Sequence, residues 1–103
     1  MAQLNVKTDR ADDVLRLTPA GELDMHVAPG LREILHRELK TPPPEVVVDL
    51  ANVPFIDSSI IATLVDGLKI ARAKDIQFRV ENCQPAVRDT FEIARLLESF
   101  RIG

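Results

Sequence analysis

Glu45-Val46-Val47-Val48-Asp49-Leu50 is a β-branched run without polar–apolar alternation. Such a run suits a strand covered on both faces, in the middle of a largely parallel sheet. Asn52-Val53-Pro54 closes it, and Phe55-Ile56 leads into Asp57-Ser58-Ser59. Beyond that triplet Ile61, Leu64, Val65, Leu68 and Ala71 recur at helical spacing, which predicts an amphipathic helix ending near Lys74-Asp75. Working outward, Ile76-Gln77-Phe78-Arg79-Val80 alternates as a strand. A last helix opens at Pro85 with Val87, Phe91, Ala94 and Leu97 on one side, and Phe100 and Ile102 are expected to dock the tail.

Towards the N-terminus, Pro42-Pro43-Pro44 stops a helix that carries Pro29 in its first turn and Leu31, Ile34, Leu35 and Leu39 on one face. Before it, Leu4 to Lys7 and Val14 to Leu17 read as two short strands. The polar stretch Thr8 to Asp13 is expected to turn between them, and Pro19 to Asp24 to form a loop. The order β-β-α-β-α-β-α predicts a single α/β domain over residues 1–103. It would be a mixed sheet with an N-terminal antiparallel hairpin, parallel crossovers and helices covering it.

Composition narrows the function. Leu, Val, Ile and Phe make up 34 of the 103 residues, enough apolar surface for a folded core. A net charge of −3, with no Trp, no Tyr and no basic cluster, argues against a nucleic-acid surface. One cysteine, Cys83, makes neither an internal disulfide nor a zinc site. Met1-Ala2-Gln3-Leu4-Asn5 has no signal-peptide pattern, and no stretch reaches the ~18 apolar residues of a membrane span. These features lead us to expect a small cytoplasmic domain.

Enzymatic patterns are scarce. His26 and His36 have no second ligand at metal spacing, so no metal site is expected. Gly21, Gly30, Gly67 and Gly103 are scattered, so neither a P-loop nor a dinucleotide fingerprint exists, and no cofactor is implied. A triad of Ser58, His26 and Asp24 can be written, but no G-x-S-x-G elbow accompanies it, and no catalytic residue is assigned.

Two readings of Asp57-Ser58-Ser59 stand side by side. Asp and Ser are preferred N-caps, because their oxygens accept unpaired N–H groups at a helix start. The same N–H groups and the helix dipole also stabilise a phosphate, so a hydroxyl here can accept a phosphoryl group without breaking the helix. Phosphorylation would add about −1.5 to −2 charges beside Asp57. Were Asp24 close in the fold, three acidic groups would converge.

At three places the chain resembles the STAS domain, named for sulfate transporters and anti-sigma-factor antagonists. The first is Gly21-Glu22-Leu23-Asp24 with Ala28-Pro29 and Leu31-Arg32-Glu33. The second is Val46-Val47-Val48-Asp49-Leu50 with Phe55-Ile56-Asp57-Ser58-Ser59, and the third is Pro85-Ala86-Val87-Arg88 with Phe91-Glu92-Ile93-Ala94. The likeness runs from about Asn5 to Ile102 and favours a stand-alone bacterial anti-sigma factor antagonist. It implies partner switching. The unmodified antagonist binds an anti-sigma factor that is also a serine kinase with a histidine-kinase-like ATP fold, a phosphorylated serine ends the contact, and a PP2C-type phosphatase restores it. Carried over, Ser58 is the acceptor, Asp24 and Asp57 are its acidic neighbours, and Ser59 keeps its hydroxyl unmodified.

The family continues Gly-Leu-Gly where this chain has Ile60-Ile61-Ala62. Ile60 is expected half exposed at the margin of the helix's buried face, forming a partner surface with Ser59, Ala62 and Thr63. The missing glycines would also fit a STAS adaptor subunit that binds an ABC-type ATPase in lipid transport without a phosphorylation cycle.

Overall fold

Asp12 and Asp13 both adopt positive φ, 54° and 64°, and turn the chain back on itself in two residues. That conformation matches the right-handed twist of the flanking strands. The turn joins β1 (Asn5–Ala11) to β2 (Val14–Ala20), antiparallel from Ala11↔Val14 to Asn5↔Ala20. The strands are therefore longer than the pattern suggested, and Thr8-Asp9-Arg10 belongs to β1. An exposed edge strand tolerates polar residues on both faces, which erases the alternation that marks a strand. β2 likewise runs through Pro19 to Ala20. Proline is accommodated there because the ladder to the next strand ends at Leu17↔Val48.

The computed structural model describes residues 3–103, so Met1-Ala2 of the N-terminal reading lies outside the described residues. After β2 come α1 (Ala28–Glu38), β3 (Glu45–Asp49), α2 (Ser58–Ala73), β4 (Gln77–Glu81) and α3 (Pro85–Ile93). The sheet order is β1-β2-β3-β4, with β2, β3 and β4 mutually parallel. The order never reverses, so two right-handed crossovers place α1 and α2 on the same face. They pack on each other there, and Leu31, Leu35, Leu64 and Leu68 join Leu15, Leu17, Val46, Val48, Phe78 and Val80 in one core.

The opposite face carries no helix. Arg16, Val47 and Arg79 stand in register across β2, β3 and β4. Val47 is buried although it lies on this open side. Arg16 pairs with Asp49 (3.2 Å) and Glu81, and Arg79 pairs with Glu45 (3.0 Å) and Glu81 (2.6 Å). The aliphatic stems of long charged side chains cover apolar surface while their heads stay wet. The valine run is thus covered on both sides, as expected, but by helices on one and by an ionic lattice on the other.

α3 ends at Ile93, so Ala94 and Leu97 lie beyond it. Arg95 takes φ 59°, its N–H donates to the Glu92 carbonyl, and the Leu96 N–H donates to the Phe91 carbonyl, both at 2.9 Å. This is a Schellman ending with arginine in the place glycine usually takes. The tail then docks: Phe100 is fully buried against Phe78 and Phe91, and its carbonyl accepts the Val80 N–H at 2.9 Å.

Candidate functional site

Two loops run side by side beyond the β2–β3 pair. Gly21 (φ 90°, a value that side-chain-bearing residues rarely adopt) donates its N–H to the Asn52 carbonyl, and Leu23 donates to the Phe55 carbonyl, both at 3.0 Å. Buried Leu23 and Ile56 pin the two loops to the core. The result places Asp24-Met25 beside Asp57, at the entrance to both α1 and α2.

Asp57 caps α2. Its Oδ1 accepts the N–H groups of Ser59 (3.0 Å) and Ile60 (3.2 Å) and the Ser59 hydroxyl, while its Oδ2 accepts the Met25 N–H at 2.9 Å. Partial desolvation pushes this carboxyl up, but the Ser59 hydroxyl and the backbone donors outweigh it and hold the group below the usual aspartate range. Asp24 instead braces the turn that precedes α1, whose own N-cap, Val27, makes no side-chain cap bond. The Asp24 Oδ1 accepts the His26 N–H at 2.9 Å, and its carbonyl accepts the N–H groups of Val27 and Ala28, both at 3.1 Å.

Ser58 is the first residue of α2 and is exposed. Its hydroxyl takes no part in the bonds that build the cap. Ser59, by contrast, is half-buried, its hydroxyl is held by Asp57, and its carbonyl accepts the Thr63 hydroxyl at 2.8 Å. The two serines are chemically distinct: one hydroxyl is presented, the other is a structural donor. Asp57 and Ser59 together make the cap, which leaves the Ser58 hydroxyl outside it.

The buried stripe of α2 is Ile60, Thr63, Leu64, Gly67, Leu68 and Ala71. Ile60 is 0% exposed, which corrects the expectation that it lies at the margin and forms partner surface. Thr63 is 2% exposed and turns its hydroxyl back to the helix, so it too offers no protruding surface. The apolar spacing alone hides this phase, because two members of the stripe, Thr63 and Gly67, are not bulky apolar residues. Gly67 is small for a reason: a Cβ there would lie 3.1 Å from Leu35 Cδ1 and 3.3 Å from Phe78 Cε2. Ile61 and Val65, read as core, are only half-buried, while Ala62 is exposed one turn after Ser58. With Ile60 turned inward, its side chain does not cover the surface beside Ser58.

The sequence did not single out Met25 and Phe55, which are 63% and 47% exposed. Met25 is bonded to Asp57, and Phe55 lies two residues before it, so both stand beside the acidic lip. A shallow cleft of about 450 Å³, lined by Met25, Ala28, Pro29, Arg32, Ser59, Ala62 and Thr63, runs between α1 and α2. Thr63 forms part of its floor. Met25 extends the apolar lining that Ala28, Pro29 and Ala62 give this cleft, while Phe55 lies outside it. His26 is exposed, and His36 lies elsewhere, its Nε2 2.7 Å from Asp66 Oδ2. Among the described residues no group of three or more His, Cys, Asp or Glu is assembled to hold a metal, and no helix is long and apolar enough to cross a membrane.

Comparison with known proteins agrees with this arrangement. An anti-sigma-B factor antagonist from Staphylococcus epidermidis is 28% identical over 100 residues, covering 97% of this chain and 93% of that protein. The crystal structure of an anti-sigma factor antagonist from Mycobacterium paratuberculosis superposes with a TM-score of 0.86 at 26% identity, over 95% of this chain and 83% of that one. The phosphorylated Bacillus cell fate determinant SpoIIAA shares the fold, with a TM-score of 0.74 at 16% identity over 95% of this chain and 87% of its own. The STAS domain family matches residues 5–103. From the order of its strands to the capped entrance of α2, this chain belongs to the STAS domain family.

Proposed function

We propose that this STAS domain is an anti-sigma factor antagonist, working in the cytoplasm by binding rather than by catalysis. It sequesters an anti-sigma factor that is also a serine kinase with a histidine-kinase-like ATP fold. Phosphorylation of Ser58 ends the contact, and a PP2C-type phosphatase restores it. The observation that carries this reading is the exposed Ser58 hydroxyl at the first turn of α2, beside a Ser59 hydroxyl already held by Asp57. The names of its antagonist relatives support it, as does the phosphorylated state of the Bacillus neighbour.

The partner surface in this reading is Met25, Phe55, Pro29 and Ala62 around Ser58. An anti-sigma factor seated on it covers the phosphorylation site. A phosphate there lies beside Asp57 and Asp24, and the helix N-terminus stabilises it in the folded protein. The switch therefore acts at the surface rather than through the core. Weakening the complex about 100-fold needs only about 2.7 kcal/mol, which a desolvated dianion at an interface supplies.

Incubation with ATP and the cognate kinase, followed by intact-mass measurement and peptide fragmentation, tests the proposal. One phosphate on Ser58, absent in Ser58→Ala, is the expected result, and phosphate on Ser59 would overturn the assignment. A folded, partner-binding protein that takes no phosphate would favour the adaptor reading instead.

A further inference from the structure

β1 and β4 are the two edges of the sheet. The tail covers part of the β4 edge, where the Val80 N–H donates to the Phe100 carbonyl, whereas among the described residues no backbone hydrogen bond reaches the outer side of β1. Apart from half-buried Val6, every residue of β1 is exposed. Ala11 and Val14 flank a two-residue turn and so form a hydrogen-bonded pair. Alternation from that pair directs the backbone groups of Asn5, Lys7, Asp9 and Ala11 towards β2. Those of Val6, Thr8 and Arg10 point outward, unpaired with the rest of the sheet.

We propose that β1 is a homodimerisation strand, pairing antiparallel with β1 of a second copy about a two-fold axis at Thr8. Centred there, Thr8 faces Thr8 of the second copy and Val6 faces Arg10 of the second copy, both as hydrogen-bonded pairs that use the outward N–H and C=O groups. Lys7 then faces Asp9 of the second copy, and Asp9 faces Lys7 of the second copy. These fall at non-hydrogen-bonded positions, where side chains approach most closely and opposite charges stabilise the pairing.

The charges also select the register. A symmetric pairing centred on Lys7 sets two lysines face to face, and one centred on Asp9 sets two aspartates face to face. Either is unfavourable. Edge charges usually discourage strand addition, whereas Lys7-Thr8-Asp9 discourages every neighbouring symmetric register and permits this one. The Arg10 side chain does not obstruct it, since its Nη2 is drawn back to the Glu38 carbonyl at 2.6 Å. The partner is thus a second copy of this chain, and the product is a continuous eight-stranded sheet. The inference is independent of the phosphorylation reading.

Sedimentation equilibrium of the full chain, from about 10 μM to 1 mM, a range set by the modest energies of strand pairs, reads the association directly. A concentration-dependent dimer is expected. Lys7→Asp and Asp9→Lys should each weaken it about tenfold or more, and the double exchange should restore it, because each swap trades two attractions for two repulsions. Thr8→Pro removes an N–H that β2 does not use, so it should leave a folded monomer, as circular dichroism will verify. A wild-type chain that stays monomeric throughout, a dimer indifferent to Thr8→Pro, or a double exchange that fails to restore association would each overturn the proposal.

Discussion

Asp57 and Met25 are 32 residues apart in the chain, yet the Asp57 Oδ2 accepts the Met25 N–H at 2.9 Å. The other oxygen of the same carboxylate holds the first turn of α2. One side chain therefore fastens the loop before α1 to the start of α2 and sets the spacing across the surface around Ser58.

Asp57→Ala should be costly for that reason. Losing an N-cap costs about 0.5–2 kcal/mol, and the orphaned Met25 N–H places the variant at the upper end. Urea denaturation should show a loss of about 2 kcal/mol. Amide exchange should speed up at Met25 as well as at Ser59 and Ile60. A change confined to α2 would show that the cross-loop bond contributes nothing.

Acid should act through the same group and through the ionic lattice. Hydrogen bonds hold Asp57 below its ordinary value of 3.8, against desolvation. Glu81 is held below 4.5, first by the hydrogen bond from Arg16, with Arg79 adding to it against desolvation. A carboxyl whose folded value is depressed stabilises the fold above its unfolded value, and that contribution disappears as pH falls through the folded value. Urea midpoints should hold steady from pH 7 to about 5 and decline below about 4.5. Asp57→Asn and Glu81→Gln should each flatten the decline.

The buried and exposed residues beside Ser58 should respond oppositely. Ile60→Ala should cost about 2–5 kcal/mol of stability and leave the folded protein's affinity for its partner unchanged. Met25→Ala and Phe55→Ala should leave stability within about 0.5 kcal/mol and weaken partner binding by about 1 kcal/mol or more each. Calorimetric titration alongside thermal unfolding separates the two classes.

Arg95→Gly should stabilise the protein. A left-handed conformation costs a residue with a Cβ about 1–2 kcal/mol, and the extra unfolded-state freedom of glycine returns roughly 0.5–1 kcal/mol of that. A net gain of about 0.5–1 kcal/mol should raise the urea midpoint, with no change in the helical circular dichroism signal.

All seven elements and their order were legible, because the valine run, the triple proline and the helix spacings are local signals. Ser58 and Asp57 were legible too, since capping chemistry is written in three consecutive residues. The depth of Ile60 was not. Ile60 shares its buried stripe with Thr63 and Gly67, and the small Gly67 faces Leu35 and Phe78, which lie on segments distant in the chain. Met25 and Phe55 escaped notice for the same kind of reason: nothing in their neighbours shows that no element packs over them. The open face was hidden because Arg16 and Arg79 cover Val47 as effectively as a helix would.

The strand order β1-β2-β3-β4 also bears on how the molecule is made. Each strand joins the edge left by its predecessor in the sequence, so no strand must later be inserted between two others. The hairpin can close first across its two-residue turn, and each crossover then adds one strand and one helix to a finished border. Only the hairpin closes a short loop; each parallel crossover spans a helix and its connections, so its pairing carries a larger loop-closure entropy and forms more slowly. The last step falls to Phe100, which seals the final border only when the whole chain is available. A chain still being synthesised would therefore hold most of its sheet while β4 remained open.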